Sequence, residues 1–357
     1  MNKRVKMNFI SDKSIKKLLH SWYTMLKHRH FSKAEEIKTS LTKYKRRLSK
    51  KQELHLHYQL MLFRHQLWMN QTEDLEKLKH ELMLHKDQMN DQLQYYFYFF
   101  LGLYESLKSD QNDAIHYLEK AEEKLPLLDD ELEEAEFHFR TSGVYYNNRY
   151  SLLSIRHVEK AMDIFAKHGD IHSIYRCKIV LALNFSDQKK YEEAEAIFIE
   201  IIEYVKMIDD QELLGIVYYD AGFIKSRQNR HKEALEYFKK ALRLPAYRKS
   251  AHSYVSCLYE TVRSCFKENL TDEGMKYIQK GLKEAVDAQF DLLRIKFQIL
   301  FLLYSQTPKA DEQIATLVTC LERKEAWIDL EDLLADVSDF YKKKGDFERA
   351  AFFIMRG

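Results

Sequence analysis

The sequence predicts an all-α fold, with an N-terminal three-helix bundle followed by a superhelix of repeated helix pairs. Three observations carry that expectation. The first is a shortage of turn residues, 9 glycines and 3 prolines in 357 residues, where average usage would supply on the order of 43. Hairpins and bulges consume these residues, whereas helix interiors exclude them, because glycine costs backbone entropy and proline lacks a donor. The second is the recurrence of apolar residues every three or four positions between Asp12 and Trp68, the period of one helix face. The third is an internal repeat: Ala114, Ser154, Ala194, Ala234 and Gly274 stand 40 residues apart.

Amphipathic stretches run from near Asp12 to Arg29, from Ser32 to Leu48 and from Gln52 to Trp68. Ser11-Asp12, Ser32 and Ser49 are the expected N-caps. Short connections make antiparallel neighbours, hence a three-helix bundle over residues 1–69. Residues 70–92 are polar and charged, and read as a partly helical linker. From 93 to 357 the repeat governs. Between Tyr98 and Pro126, small Gly102, Ala114 and Ala121 alternate with large Leu101 and Leu118, the spacing of a tetratricopeptide (TPR) helix pair, whose small residues let two helices approach closely. Thr141-Ser142 with Ser154, Leu181-Ala182 with Ala194, and Ala221-Gly222 with Ala234 repeat it. The C-terminal part is therefore a TPR-like helical superhelix. Its period exceeds the usual length of about 34 residues, which calls for longer helices or longer turns. The pattern blurs from Asp291 to Trp327 and returns at Ser338, Tyr341, Phe347 and Ala350. The apolar run Ala351-Phe352-Phe353-Ile354 leaves an end that frays or packs against another chain.

Lys+Arg 57 against Asp+Glu 55 gives a net charge of +2, no footprint for neutralising many phosphates. Protein or peptide partners are expected instead, with no direct nucleic acid. Cys177, Cys257, Cys265 and Cys320 form neither a CxxC pair nor a disulfide scaffold and read as reduced core thiols, which fits the cytoplasm. The N-terminal residues lack an apolar region after their charges, and no apolar stretch approaches about 18 residues, so neither export nor a membrane span is expected. No phosphate loop, dinucleotide fingerprint, HExxH or GxSxG motif occurs, so no resident cofactor or metal is expected. His55 and His57 are two apart on a helix and face different directions, unlike the pair four apart that a metal needs. His28, His30, His80 and His85 read as solvated or packed. The aromatic run Tyr95 to Phe100 lacks flanking cations and reads as core, not as a base-stacking platform. The basic run Lys43 to Lys51 is either a solvated helix end or a surface for an acidic protein.

The segment Lys51-Gln52-Glu53-Leu54-His55-Leu56-His57-Tyr58-Gln59-Leu60-Met61-Leu62-Phe63-Arg64-His65 resembles the Rap family of bacilli. The likeness extends through Trp22-Tyr23, Ala34-Glu35, Tyr95 to Phe100, Glu134-Ala135-Glu136-Phe137, Asn184-Phe185-Ser186-Asp187 and Asp329-Leu330-Glu331-Asp332. It implies a cytoplasmic regulator of quorum sensing, sporulation or competence, built from bundle, linker and TPR domain. Some members dephosphorylate a response regulator's aspartyl phosphate; others only bind a transcription-factor response regulator, at its receiver or DNA-binding domain, and block it. By this resemblance Gln52 is the catalytic glutamine, and Lys50, Lys51, Leu56 and Phe63 contact the response regulator. Asn184, Asp187 and Asp220 hold a short extended signalling peptide. The glutamine orients water while the divalent metal and lysine of the response regulator stabilise charge, so no cofactor of the chain's own is required. Two departures matter. Ser49-Lys50-Lys51 stands where the family carries an acidic stretch, which reverses the local charge. Asp220 stands where the family usually has asparagine; an aspartate only accepts, so weakened peptide binding is expected unless Asp220 simply pairs with a cation.

Overall fold

The computed structural model describes residues 10–28, 30–68, 75–107, 111–305, 308–324 and 326–356. The expectations for residues 1–9, for Arg29 and for the start of the linker lie outside them. Among the described residues all regular structure is helical, and no helix is long and apolar enough to cross a membrane. The chain forms two compact units, residues 1–171 and 172–357.

The first unit opens with α1 (Asp12–Lys27), capped by the Ser11 hydroxyl, which accepts from the Ser14 amide at 3.1 Å. The second amphipathic stretch is broken into α2 (Phe31–Thr42) and a short α3 (Lys45–Leu48). Its hydroxyls explain the break: Ser40 donates to the Ile37 carbonyl at 2.8 Å and Thr42 to the Thr39 carbonyl at 2.6 Å, competing for groups a continuing helix would use. Ser32 sits inside α2, behind His30 at the cap position, and Ser49 donates to the Arg46 carbonyl at 3.2 Å instead of capping the next helix. That helix, α4 (Gln52–Trp68), packs on α1 and then on α5 (Leu75–Leu84).

The described part of the linker thus contains a packed helix, with Leu75, Leu78 and Leu82 buried. Two helix pairs follow, α6 (Asp91–Leu107) with α7 (Gln111–Lys124), and α8 (Glu131–Asn147) with α9 (Ser151–Lys167). The aromatic run on α6 is core: Tyr95, Phe97, Phe99 and Phe100 are fully enclosed. One hydrophobic core runs from Ile15 to Val144, which is why the compact unit continues past the bundle and the linker to residue 171. Buried polar residues cross it. Trp22 Nε1 donates to His65 Nδ1 at 3.0 Å, and Glu133 on α8 accepts from Tyr23, Tyr95 and Lys27. His138 and His157 face each other nearby, and burial holds both imidazoles neutral, His138 at about 3 and His157 at about 4.

The second unit contains α10 (Ile171–Asp187), α11 (Tyr191–Met207), α12 (Gln211–Arg227), α13 (His231–Leu242), α14 (Ala251–Lys267), α15 (Thr271–Asp287), α16 (Asp291–Ser305), α17 (Ala310–Arg323), α18 (Trp327–Lys343) and α19 (Phe347–Ile354). Helices therefore continue through the segment where the sequence pattern blurs. At α19, Phe347, Phe352 and Ile354 are exposed while Ala350 and Phe353 are buried.

The long period has a simple geometry. Helices α8 to α12 are each 17 residues long and begin at 131, 151, 171, 191 and 211. Each turn passes through one left-handed residue: Arg149, Gly169, Lys189, Asp209 and Asn229 all have φ between 53° and 68°. Two longer helices, not a longer turn, make the repeat. Where paired helices cross, a small residue on one of them permits the close approach. A Cβ on Gly222 would lie 2.6 Å from the Phe238 ring, and the Ser154 hydroxyl donates to the Ser142 carbonyl at 2.8 Å.

Candidate functional site

The N-terminal unit presents one candidate site at the start of α4. Gln52 and Glu53 occupy its first turn and are exposed. The Gln52 amide donates to the Gln88 side-chain oxygen, which also lies 3.1 Å from His85 Nδ1. Glu53 accepts from Lys16 at 2.7 Å and from Asn90 at 3.3 Å. Beside it a cleft of about 430 Å³ is lined by Lys13, Lys16, Lys17, His20, His57 and Tyr96, among others. Lys50 and Lys51 are exposed next to Gln52. Asp12 lies 2.7 Å from Arg47 and 3.5 Å from Lys51, and the Arg47 hydrogen bond holds its carboxyl below the usual range. The basic run thus ends in an ion cluster, with Lys50 left to face solvent.

Leu56 and Phe63 are not part of this surface. Each is 1% exposed within the core, so neither can touch a docked protein. The reason is helical phase: Gln52, Leu56 and Phe63 share one stripe of α4, at spacings of four and seven. That stripe faces inward, and Gln52 escapes burial only because it lies at the end of the helix. The surface that surrounds it is instead Lys50, Lys51, Glu53, Lys16, His85 and Gln88.

The residues expected to hold a peptide stand in the C-terminal unit, on α10 and α12. Asn184 on α10 is fully enclosed, its amide donating to the Val180 carbonyl at 2.9 Å, so it lies within the helix packing and does not itself hold a peptide. Asp187, one turn on, lies 3.2 Å from Arg227 of α12. The 40-residue period makes position 187 equivalent to 227, so equivalent positions on adjacent first helices carry opposite charges. Asp220 on α12 is 9% exposed. Its equivalent on α14, Glu260, is held by Arg263 at 3.1 Å, whereas among the described residues no cation pairs with Asp220. The cation-paired alternative is therefore corrected.

Burial pushes the Asp220 carboxyl up to about 8, because the anion loses hydration without gaining a partner. Near neutral pH it is mostly a carboxylic acid, with one donor and remaining acceptors, and so imitates the asparagine amide in kind. The loss of a donor expected from the sequence applies only once this group ionises. The signal missed was burial: charge type is visible in sequence, but the environment that sets protonation is not.

Among the described residues, neither His55 nor His57 belongs to a cluster of metal-ligating groups; His57 stacks on Tyr96 with ring centroids 6.1 Å apart. A cluster that sequence reasoning missed joins Glu122, His138 and His157, from three helices. No spacing rule finds it, since the three residues meet only through helix packing.

Residues 9–70 match a family profile described as response regulator aspartate phosphatase H, N terminal, and residues 170–245 match a tetratricopeptide repeat profile. The chain is 39% identical over 350 residues to the regulatory protein RapD of Bacillus subtilis (strain 168), covering 97% of this chain and 98% of that one. It is 28% identical over 341 residues to response regulator aspartate phosphatase I of the same organism, covering 93% and 86%. A crystal structure of a Rap protein complexed with competence and sporulation factor superposes with a TM-score of 0.85 at 26% identity, covering 97% of each chain.

Proposed function

The chain belongs to the Rap family, and on that premise we propose that it binds a bacterial response regulator through the N-terminal unit and hydrolyses its aspartyl phosphate. The observation that carries this reading is Gln52, an exposed amide at the start of α4 with lysines beside it. In the reaction, water attacks phosphorus, the bond to the aspartyl oxygen breaks, and aspartate and inorganic phosphate leave. The Gln52 carbonyl accepts from the attacking water and its NH2 group donates to a phosphoryl oxygen, placing the nucleophile in line. The response regulator supplies the divalent metal. Gln52 must first release Gln88, and exchanging one exposed hydrogen bond costs about 1 kcal/mol or less. Lys13, Lys16, Lys17, Lys50 and Lys51 supply positive potential that steers an acidic partner surface.

The face of the C-terminal unit that carries Asp187 and Asp220, on α10 and α12, is the site for a short extended peptide, with Asn184 packed behind it. Peptide binding there regulates the chain, and is weakened relative to an asparagine-bearing groove as Asp220 ionises. Its place of action is the cytoplasm, consistent with free thiols at Cys177, Cys257 and Cys265.

One observation favours a second reading. Gln52 is engaged by Gln88 and so is not free to orient water, which favours an adaptor that sequesters a transcription-factor response regulator without catalysis. Incubating the protein with a panel of phosphorylated receivers, while scoring both phosphate release and complex formation, separates the two. Phosphate release supports the phosphatase, and complex formation without release supports the adaptor. Neither outcome on any receiver overturns both.

A further inference from the structure

We propose that Glu122, His138 and His157 form a binding site for a divalent transition metal of the zinc type, tying α7, α8 and α9 together. Their ligand atoms all lie within 4.8 Å of one another. His138 and His157 come from paired helices, are 1% and 6% exposed, and bring their Nδ1 atoms to 2.8 Å. Two imidazole nitrogens and a carboxylate oxygen are the donor set that zinc accepts, with a fourth position left to water.

The surroundings of His138 fix which of its nitrogens would bind. Its Nε2 is buried without a hydrogen-bond partner and lies 3.7 Å from the Glu134 carboxylate, which Lys160 holds at 2.8 Å. A proton on Nε2 is drawn toward that carboxylate, which leaves the lone pair on Nδ1, facing His157. An outer carboxylate behind a ligating imidazole is the usual support of such a ligand. Without metal, His157 Nδ1–H donates into that lone pair. Metal binding replaces this proton, which moves to Nε2 of His157 through solvent.

The adjustments are small. Zinc–nitrogen bonds of 2.0–2.1 Å in a tetrahedron set the two nitrogens about 3.3 Å apart, so the rings part by about half an ångström. Glu122 is solvent-accessible and closes by side-chain rotation. Arg156 and Lys160 oppose a cation here, but Glu134 pairs with Lys160, and the negative charges of Glu119 and Glu122 reach Tyr145 and help raise its hydroxyl. Tyr145 covers His157, with ring centroids 5.2 Å apart. A metal here would fix α8, the helix whose Glu133 holds α1.

The test uses the full untagged chain, stripped with chelator and titrated with Co2+ as the probe. One equivalent should bind with visible d–d absorption and without the near-ultraviolet band of a thiolate ligand, and Zn2+ should displace it. Glu122→Gln, at an accessible position, should keep its helical circular dichroism and weaken binding at least about tenfold. His157→Asn should abolish it. Absence of binding, a thiolate band, or unchanged affinity in a folded Glu122→Gln variant would overturn the proposal. If His157→Asn fails to fold, the Glu122→Gln result decides alone.

Discussion

The Tyr23 hydroxyl on α1 donates to the carboxylate of Glu133 on α8 at 2.7 Å, across 110 positions of sequence. Tyr95 adds a bond at 2.8 Å to the same oxygen, and Lys27 reaches the other at 2.9 Å. A carboxylate this deeply buried is stable only while all its partners remain. This junction joins the helix that lines the lysine-rich cleft to the second helix pair after the linker. Tyr23→Phe should therefore destabilise the N-terminal unit by about 1–3 kcal/mol. Urea denaturation followed by far-ultraviolet circular dichroism measures the loss, and an unchanged midpoint would show the bond to be dispensable.

The crossing of α12 and α13 should tolerate no added methyl group. Gly222→Ala places a Cβ 2.6 Å from the Phe238 ring, which must shift or splay the pair, at a cost of about 1–3 kcal/mol. A thermal midpoint equal to that of the parent would contradict the close approach.

Turns of the repeat should offer the opposite result. Lys189 has φ 62°, a left-handed conformation that costs a residue with a Cβ about 1 kcal/mol and glycine almost nothing. Lys189→Gly should stabilise the C-terminal unit by about 0.5–1 kcal/mol, less the entropy that glycine adds to the unfolded chain. Loss of stability in that variant would mean that the lysine side chain contributes more than the strain it carries.

Much of this architecture was legible in the sequence because packing demands leave marks at fixed intervals. Gly102, Ser142, Ala182 and Gly222 could be read as crossing points, since each is followed twelve positions on by another small residue. The turns were not legible: Arg149, Lys189 and Asp209 adopt the conformation that glycine would announce. Leu56 and Phe63 were misplaced although their phase was visible, because the inward stripe of α4 and its exposed first turn are the same line of residues. Protonation of Asp220 and the meeting of Glu122 with His138 and His157 depend on burial and on helix pairing, which no local spacing records.

Asp220 sets a pH dependence whose sign is defined. Its carboxyl ionises at about 8 in the folded chain against 3.8 as the ordinary value. Between these limits the folded state holds the extra proton, so stability falls as pH rises from about 4 to about 8 and then levels off. Asp220→Asn cannot ionise. Its stability advantage should grow across that window and exceed about 1 kcal/mol near pH 9. Peptide affinity of the parent should fall over the same upper limb by roughly fivefold to a hundredfold, the equivalent of about 1–3 kcal/mol. Calorimetric titration of family-type peptides at pH values on either side of 8 tests this, and equal affinities would remove Asp220 from the groove's chemistry.

The phosphatase reading turns on Gln52, and single-turnover loss of phosphate from a phosphorylated receiver measures it most directly. The parent should accelerate phosphate release. Gln52→Ala should slow the reaction by at least about tenfold, corresponding to about 1.4 kcal/mol of transition-state stabilisation, while complex formation stays within about twofold, because water positioning and surface contact are separate tasks. Unchanged release by Gln52→Ala, with the receiver still bound, would contradict the assignment.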